Sequence, residues 1–222
     1  MSTATEKNKV AVVDYGLGNL FSLERALKRI GTVPQVTSDP QAITDASAVI
    51  IPGVGAFGDG MRRLHELGLV EAILDSARQG KPIFGICLGM QLLFDESEEF
   101  GRHEGLRLVA GKVVRLLDRH PEGFRVKVPH IGWNELHKGD TTHEWRSTVL
   151  ENLTDGDATY FVHSYVPIPA NDDYTIARTN YGGHWYSIAI VKDNVTGVQF
   201  HPEKSGPVGL RILSNFCSNL SD

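Results

Sequence analysis

The sequence predicts an α/β fold with a largely parallel central sheet covered by helices, followed by a second half that is rich in strands. Two observations support this prediction. Up to residue 95, short apolar and β-branched runs alternate with helical patterns, which is typical of parallel sheets whose strands are joined by helices. Beyond residue 95, strand-like segments follow one another with turns between them.

Four short apolar segments in the first half are interpreted as buried strands. They cover residues 10–13, 34–38, 48–51 and the run that ends at Cys87. Between them, apolar residues at 20, 23, 27 and 30 predict a helix that ends at Gly31. A second helical pattern over 61–79 is interrupted near Gly68.

Two glycines, Gly16 and Gly18, follow the first strand and raise the alternative of a dinucleotide-binding loop. Phe21 occupies the position where such a loop has its third glycine. A tight turn between strand and helix is therefore favoured.

The second half begins with a polar, acidic stretch at 96–105 that is predicted to be a surface loop. Strands are predicted at 106–117, 126–128, 159–166, 174–179, 187–191 and 195–200, with the motif at 130–134 between two of them. One apolar face predicts a terminal helix, formed by Gly209, Ile212, Leu213, Phe216, Cys217 and Leu220. No repeat or linker interrupts the chain, so one domain is predicted over 1–222, with 1–8 as a loose lead-in.

Composition excludes several classes of protein. A formal net charge of −5 and a pI near 6.0 disfavour nucleic acid as the main partner. Two cysteines, Cys87 and Cys217, do not make a disulfide framework and favour a reducing, cytoplasmic location. No apolar run approaches the ~18–20 residues that span a bilayer, and the polar N-terminus lacks the apolar core of a signal peptide.

Gly85, Cys87 and Gly89 form a Gly-x-Cys-x-Gly turn between a strand and a helix. This is the spacing of a nucleophile elbow, with sulfur as the nucleophile. Small residues suit a turn in which backbone passes close to backbone, and the adjoining helix N-terminus favours a thiolate. The alternative is a buried cysteine that only fills space.

A nucleophilic cysteine needs a proton-transfer group and a residue that orients it. Of nine histidines, His201 is the strongest candidate, since Glu203 lies two residues away and would share its face in an extended chain, which Pro202 favours. A carboxylate beside an imidazole fixes its tautomer. The alternative is a charged loop after a strand. His130 and His163 lie in apolar stretches, and each is predicted to belong either to the core or to the site. Helical or polar surface contexts are predicted for His65, His103, His120, His137 and His143.

Backbone N–H groups that stabilise a developing oxyanion complete such a site. One donor is normally the residue after the nucleophile, here Leu88. The glycine-rich turn at 52–55 follows a parallel strand and offers a second, although an ordinary turn fits equally well. The sequence has no zinc-ligand spacing and no phosphate-binding loop, so neither a metal nor a cofactor is predicted.

Together these segments resemble the class I (triad) glutamine amidotransferases, and among them the glutaminase subunits of imidazole glycerol phosphate synthases. The resemblance spans nearly the whole chain. It rests on Asp-Tyr-Gly-Leu-Gly-Asn (14–19), Pro-Gly-Val-Gly-Ala-Phe (52–57), Gly-Ile-Cys-Leu-Gly-Met-Gln (85–91), Pro-His-Ile-Gly-Trp-Asn (129–134), Tyr-Phe-Val-His-Ser-Tyr (160–165) and Gly-Val-Gln-Phe-His-Pro-Glu-Lys-Ser (197–205).

This resemblance implies a three-layer α/β sandwich with helices on both faces of a mainly parallel sheet and an antiparallel extension in the second half. It also implies hydrolysis of glutamine through a thioester on Cys87, with His201 and Glu203 completing the catalytic triad. The oxyanion would be held by Leu88 and the Gly53–Val54 peptide, which in the family is thought to require activation by the partner. The residues implied to bind glutamine are Gly55, Gln91, Ser164 and Tyr165.

The resemblance further implies a heterodimer with a cyclase subunit that has a (β/α)8 barrel, in histidine biosynthesis. Asn19, Trp133 and Lys204 match positions at that subunit interface. The barrel would join sheltered ammonia to a nucleotide substrate and release imidazole glycerol phosphate and aminoimidazole carboxamide ribotide.

Three alternatives are weaker. The glutaminase of another synthase, such as the pyridoxal phosphate or anthranilate systems, fits poorly with the motif at 129–134. Cysteine peptidases and chaperones of related folds tend to have a histidine directly after the cysteine, where this chain has Leu88. A non-enzymatic interaction protein is hard to reconcile with the presence of Cys87, His201 and Glu203.

Overall fold

The computed structural model describes residues 9–139 and 145–218. The predicted lead-in at 1–8, His143 and Leu220 lie outside these ranges. Strands are β1 Val10–Val13, β2 Pro34–Thr37, β3 Ala48–Ile51, β4 Ile83–Ile86, β5 Phe94–Ser97, β6 His103–Glu104, β7 Val109–Arg115, β8 His130–Glu135, β9 His137–Lys138, β10 Ala158–His163, β11 Tyr165–Pro169, β12 Thr175–Tyr181, β13 His184–Lys192 and β14 Val195–Val198. Helices are α1 Leu20–Arg29, α2 Pro40–Asp45, α3 Phe57–Glu66, α4 Leu69–Arg78, α5 Leu88–Leu92 and α6 Gly206–Ser218.

The main sheet has eight strands in the order β2-β1-β3-β4-β14-β13-β12-β9. The first five are mutually parallel, and the last three continue the sheet in antiparallel pairing. Two smaller sheets, β10-β8 and β11-β7-β5-β6, accompany it. The predicted mainly parallel sheet with an antiparallel extension in the second half is confirmed.

Alternate residues of the central strands supply two separate cores, one on each face of the sheet. Ala11 and Val13 of β1 belong to a cluster that includes side chains of α3 and α4, whereas Val10 and Val12 belong to one that includes side chains of α1 and α6. Successive side chains of a strand point to opposite faces. Helices therefore cover both faces, which explains why these strands are continuously apolar. None of the described helices is long and apolar enough to cross a membrane.

Several predicted elements in the first half differ from the structure. The pattern over 61–79 is two helices, separated where Gly68 adopts a left-handed φ of 67°, so the predicted interruption is confirmed. The six-residue helix α2 was not predicted, although Asp39 caps its N-terminus and Pro40 occupies its first turn. Its short length leaves too little periodicity to detect.

The stretch 96–105 is not simply a surface loop, because β5 enters a sheet and Ser97 and Glu99 are buried. The segment 126–128 is not a strand; β8 instead covers the motif placed between strands. The hydropathy pattern of β8 does not indicate which face is buried, since polar His130 points into the protein while Ile131 faces outward. The strand predicted at 159–166 is broken at Ser164 into β10 and β11, which belong to different sheets.

The glycines around Cys87 are dictated by close contacts. A Cβ on Gly89 would overlap the carbonyl oxygen of Ile51, at the end of β3, and a Cβ on Gly85 would lie 2.7 Å from backbone atoms of Gly89 and Met90. Real Cβ atoms do not approach backbone so closely. The turn can therefore pack against β3 only if both positions lack a side chain.

We expect Gly89→Ala to lower the free energy of unfolding by about 3 kcal/mol, since overpacking against rigid backbone strains the fold. Gly31→Ala is the matched control, because Gly31 has a φ of 85° but no neighbour within 4 Å. We expect Gly31→Ala to lower the free energy of unfolding by only about 1 kcal/mol, from backbone strain alone. Urea unfolding of both variants checks this, and equal losses would contradict the steric argument.

Candidate active site

Cys87 lies directly after β4 in a strained conformation, with φ 53° and ψ −109°. Such a φ costs an L-residue of order 1–3 kcal/mol and persists only where surrounding contacts enforce it. Here the Cys87 N–H donates to the Val198 carbonyl at 2.8 Å, while the two glycines allow the turn to close. The predicted elbow is present, but the helix that follows has only five residues.

His201 and Glu203 form a buried pair near the end of β14. The distance from His201 Nδ1 to Glu203 Oε1 is 2.8 Å, and the exposed fractions of the two side chains are 2% and 4%. Their proximity does not come from an extended chain as predicted, because Pro202–Lys204 form a 3₁₀ turn that brings the carboxylate back to the ring. The carboxylate accepts a hydrogen bond from Nδ1–H, so Nε2 is the ring nitrogen left for proton transfer.

The strand pairing brings this pair to the nucleophile. β14 lies beside β4 with Val198 opposite Ile86, so the residues that follow the two strands emerge at the same edge. Burial lowers the pKa of His201, but the interactions of the ring with Cys87 and Glu203 outweigh it and raise the pKa to about 10. Buried Nε2 has no hydrogen-bond partner within the described residues.

Two glutamine side chains connect the thiol to the neighbouring cavity. Gln199 donates from Nε2 toward Cys87 Sγ at 3.6 Å. Gln91, one turn into α5, donates to Gln199 Oε1 at 3.0 Å and to the Tyr165 carbonyl at 2.9 Å. These contacts orient the thiol and the Gln91 amide relative to one another. Gln199 was not singled out in the sequence, since it falls in the predicted strand at 195–200, where nothing signals a polar contact; in the structure β14 ends one residue before it.

The two predicted oxyanion donors are not arranged together in this structure. Leu88 N–H donates to the carbonyl oxygen of Gly53 at 3.4 Å. In a trans peptide the N–H points opposite to the carbonyl, so Val54 N–H points away from Leu88 N–H. The Gly53–Val54 peptide would have to rotate before both N–H groups could face one oxyanion.

A cavity of about 450 Å³ opens beside Cys87, within the range of small-molecule sites. Its walls come from the loop at residues 52–57, called the oxyanion loop below, from the turn around Cys87, from β10 and β11, and from the acidic stretch at 96–105. All four residues expected to bind glutamine line it. The lining residues are Val54, Gly55, Cys87, Leu88, Gln91, Glu99, Pro129, Val162, His163, Ser164, Tyr165 and Lys204.

Glu99 is a cavity residue that sequence reasoning missed. It is nearly fully buried, and its Oε2 accepts the Phe57 N–H at 2.7 Å. Burial raises the pKa of this carboxyl, against the opposing effects of that hydrogen bond and of nearby His103. In the sequence Glu99 is one of several acidic residues in a polar stretch, and nothing there distinguishes it from exposed Glu98.

His130 and His163, left as core or site residues, form part of a directed hydrogen-bond chain. The Tyr165 carbonyl can only accept, so the 2.9 Å contact with His163 Nδ1 places the proton on that nitrogen. His163 Nε2 then accepts from His130 Nδ1 at 3.2 Å, and His130 Nε2 accepts from the Asn134 amide at 3.4 Å. The chain runs from β8 to the carbonyl that also binds Gln91.

The residues expected at a subunit interface lie on the surface or near it. Trp133 is 58% exposed, and its ring lies 6.3 Å from the ring of Tyr160. Lys204 Nζ lies 5.8 Å from the same tyrosine ring, so Trp133 and Lys204 flank one exposed patch. Asn19 is half-buried, and its side chain caps α1 by accepting the Ser22 N–H at 3.3 Å.

The remaining described histidines do not enter the cavity. His137, for example, pairs with Asp155 at 3.2 Å on the surface. Among the residues that the structure describes, no group of three or more His, Cys, Asp or Glu side chains is placed to hold a metal ion. Cys217 is partly buried against the core formed with α1 and α6.

Comparisons with known proteins agree on one family. The family "Glutamine amidotransferase class-I" matches residues 11–220. "Imidazole glycerol phosphate synthase subunit HisH 1" of Legionella pneumophila (strain Paris) is 46% identical over 209 residues, which cover 94% of this chain and 98% of that protein. The Geobacter sulfurreducens "Imidazole glycerol phosphate synthase subunit HisH" is 45% identical over 213 residues, covering 94% and 97%.

Solved structures show the same fold at low identity. "Structure of PurLQS from Thermotoga maritima" matches with a TM-score of 0.69 and 19% identity, covering 96% of this chain and 99% of that one. A "Crystal structure of glutamine amidotransferase" matches with a TM-score of 0.70 and 19% identity, covering 94% and 98%. The predicted class I fold is confirmed by these neighbours.

The buried histidine pair predicts how stability depends on pH. Burial lowers the pKa of His130 to about 4 and, more than any other contribution, lowers the pKa of His163 to about 3. The unfolded chain, in which histidine titrates near 6.5, binds more protons below that pH, so stability is present above pH 6.5 and is lost as the pH falls toward 4. Urea unfolding at pH 7 and pH 5 measures this loss. We expect the free energy of unfolding of His163→Gln to fall less between these pH values than that of the wild-type protein. An equal fall in both proteins would show that buried His163 does not cause the pH dependence.

Proposed function

The chain belongs to the class I glutamine amidotransferase family and, within it, to the imidazole glycerol phosphate synthase subunit HisH proteins, and we propose that it hydrolyses L-glutamine to glutamate and ammonia. The observation that carries this proposal is the position of the buried His201–Glu203 pair. The pair follows β14, the strand that lies beside β4 and therefore beside Cys87, next to the cavity lined by Gln91, Ser164 and Tyr165.

In the proposed reaction, Cys87 Sγ attacks the side-chain carboxamide carbon of glutamine and forms a tetrahedral intermediate. His201 donates the proton from Nε2 to the departing ammonia as the C–N bond breaks, which leaves a thioester on Cys87. The same nitrogen then removes a proton from water, whose oxygen attacks the thioester carbon. Glutamate leaves and the thiolate is restored. Glu203 holds the ring so that Nε2 faces the reacting atoms.

The α-ammonium of the substrate needs a carboxylate, and among the described residues that line the cavity Glu99 supplies it. One carboxylate oxygen is already held by the Phe57 N–H, which fixes the group in place. Because burial raises its pKa, a cation beside it would favour the charged form. We assign Glu99 to the α-amino group of glutamine and assign Gly55, Gln91, Ser164 and Tyr165 to the rest of the substrate.

The orientation of the Gly53–Val54 peptide supports low activity of the isolated subunit. A single oxyanion donor contributes about 3–4 kcal/mol, or roughly 10²–10³ in rate. With the Gly53 carbonyl facing Leu88 N–H, that contribution is missing until the peptide turns. Docking of a partner subunit would supply the free energy for this rotation.

A partner is also needed to use the product. Ammonia released into neutral water is protonated and loses its nucleophilic lone pair. We therefore propose that the patch around Trp133, Tyr160 and Lys204, together with Asn19, binds a cyclase subunit with a (β/α)8 barrel. Ammonia would pass to that subunit without entering bulk water and react there with the nucleotide substrate, and the cyclase would then release imidazole glycerol phosphate and aminoimidazole carboxamide ribotide. Two unpaired cysteines support a cytoplasmic location.

The proposed activity is tested by measuring glutamate release from glutamine, with and without the co-purified cyclase subunit and its nucleotide. We expect low activity alone, stimulation of about 10²–10³-fold by the partner, and loss of activity in Cys87→Ala. Glu203→Gln should lower turnover while leaving the folded state intact, as judged by circular dichroism. Full activity of Cys87→Ala would contradict the proposed mechanism. No stimulation by the cyclase subunit would contradict the assignment to histidine biosynthesis.

The role of Glu99 is tested separately by Glu99→Gln, which keeps the size of the side chain and removes its charge. A hydrogen bond to a charged group is worth about 1.5–3 kcal/mol, so KM for glutamine should rise by roughly ten- to a hundredfold with a smaller change in kcat. Glu98→Gln is the matched control, since Glu98 is exposed and pairs with Lys112 on the surface. Equal KM values for the two variants would exclude Glu99 from substrate binding.

A further inference from the structure

Tyr15 is a fully buried side chain directly beneath the oxyanion loop, and the reaction described above does not use it. It follows β1, and its hydroxyl donates to the Pro52 carbonyl at 2.6 Å. A Cβ on Gly53 would overlap the tyrosine oxygen and lie 2.9 Å from Leu88 Cβ. The hydroxyl thus contacts Pro52, which precedes the Gly53–Val54 peptide, and it also lies against Gly53.

The Tyr15 hydroxyl fixes the upstream end of the loop. A hydrogen bond of 2.6 Å is short even for a hydroxyl donor, and burial, with a smaller contribution from the charge of Cys87, raises the pKa of the phenol and keeps it protonated as a donor. The Tyr15 backbone is held in turn, because its carbonyl accepts from Arg63 Nε at 3.3 Å. The peptide between Pro52 and Gly53 is therefore anchored to β1.

Glu99 fixes the downstream end by accepting the Phe57 N–H at 2.7 Å. Between these two anchors, and among the residues that the structure describes, the Gly53 carbonyl has only the long 3.4 Å contact with Leu88 N–H, which is at the weak end of hydrogen-bond geometry. Gly53 has no side chain to hinder rotation, and Gly55 adopts a φ of 116° that few other residues tolerate. The loop is thus held firmly at both ends and loosely at the Gly53–Val54 peptide.

Resting on the proposed function, we propose that the Tyr15 hydroxyl is a positioning residue for the oxyanion hole: by anchoring the Pro52 carbonyl, it confines the movement of the loop to the Gly53–Val54 peptide. Rotation of that peptide then delivers Val54 N–H to one defined place beside Leu88 N–H. Without the anchor, the whole loop moves, and the fraction of time in which both donors face the oxyanion falls. Tyr15 touches neither the substrate nor the reacting atoms in this role.

The test is Tyr15→Phe in the complex with the cyclase subunit, since this change removes one oxygen atom and keeps the ring. We expect kcat for glutamine hydrolysis to fall about tenfold, with KM for glutamine within twofold of the wild-type value. Alkylation of Cys87 by iodoacetamide should keep its rate, because displacement of iodide forms no oxyanion at a carbonyl carbon. This reaction reports whether the thiol remains accessible and reactive.

Tyr186→Phe is the matched control. The Tyr186 hydroxyl accepts the Leu117 N–H at 3.2 Å, remote in the chain from the loop, and its removal should leave kcat, KM and the alkylation rate unchanged. A Tyr15→Phe complex with wild-type kcat would overturn the proposal. A fall in kcat matched by a rise in KM or a loss of alkylation would also overturn it, since that pattern indicates general disruption of the site. If the wild-type complex released no glutamate, the proposed function would fail first and this inference with it.

Discussion

The close passage of the Cys87 turn over the end of β3 is the constraint on which the rest of the site depends. Gly89 lies so near the Ile51 carbonyl that no side chain fits between them. This contact sets the distance between the elbow and the oxyanion loop, which begins one residue after Ile51. Cys87 adopts its strained φ of 53° in the turn that makes this contact.

Parallel strand order converts this local contact into a site. β1, β3, β4 and β14 are neighbours in the sheet, so Tyr15, Gly53, Cys87 and His201 follow strands that end at one edge. Residues distant in sequence are thereby held by a rigid scaffold. The Gly53–Val54 peptide is weakly held within it, and a weakly held peptide between fixed anchors is a suitable element for control by a partner.

Buried polar groups add direction to this arrangement. In the path from Asn134 through His130 and His163 to the Tyr165 carbonyl, each histidine ring donates from Nδ1 and accepts at Nε2, so the tautomers are determined by the chain of contacts. The same carbonyl binds Gln91, which binds Gln199, which approaches Cys87. Strand β8, whose Trp133 is exposed on the candidate partner surface, is thus joined to the thiol by a continuous series of hydrogen bonds.

The sequence by itself determined the alternation of strands and helices, the elbow around Cys87 and the pairing of His201 with Glu203. These features depend on local patterns: apolar periodicity, glycine at a sharp turn, and two functional groups too close in sequence to be far apart in space. The tertiary structure decided which face of β8 is buried, which acidic residue enters the cavity, and what anchors Pro52. Glu98 and Glu99 are chemically alike, and only the packing of β5 and α3 distinguishes them.

The orientation of the Gly53–Val54 peptide is the clearest case of a feature beyond the sequence. Both orientations satisfy the same glycine-rich motif and differ by rotation about two soft dihedral angles. The observed orientation is held by one long hydrogen bond to Leu88 N–H, between anchors from Tyr15 and Glu99, residues 37 and 42 positions from their partners in the chain. Such contacts exist only after the sheet has assembled, because they join segments that no local pattern connects.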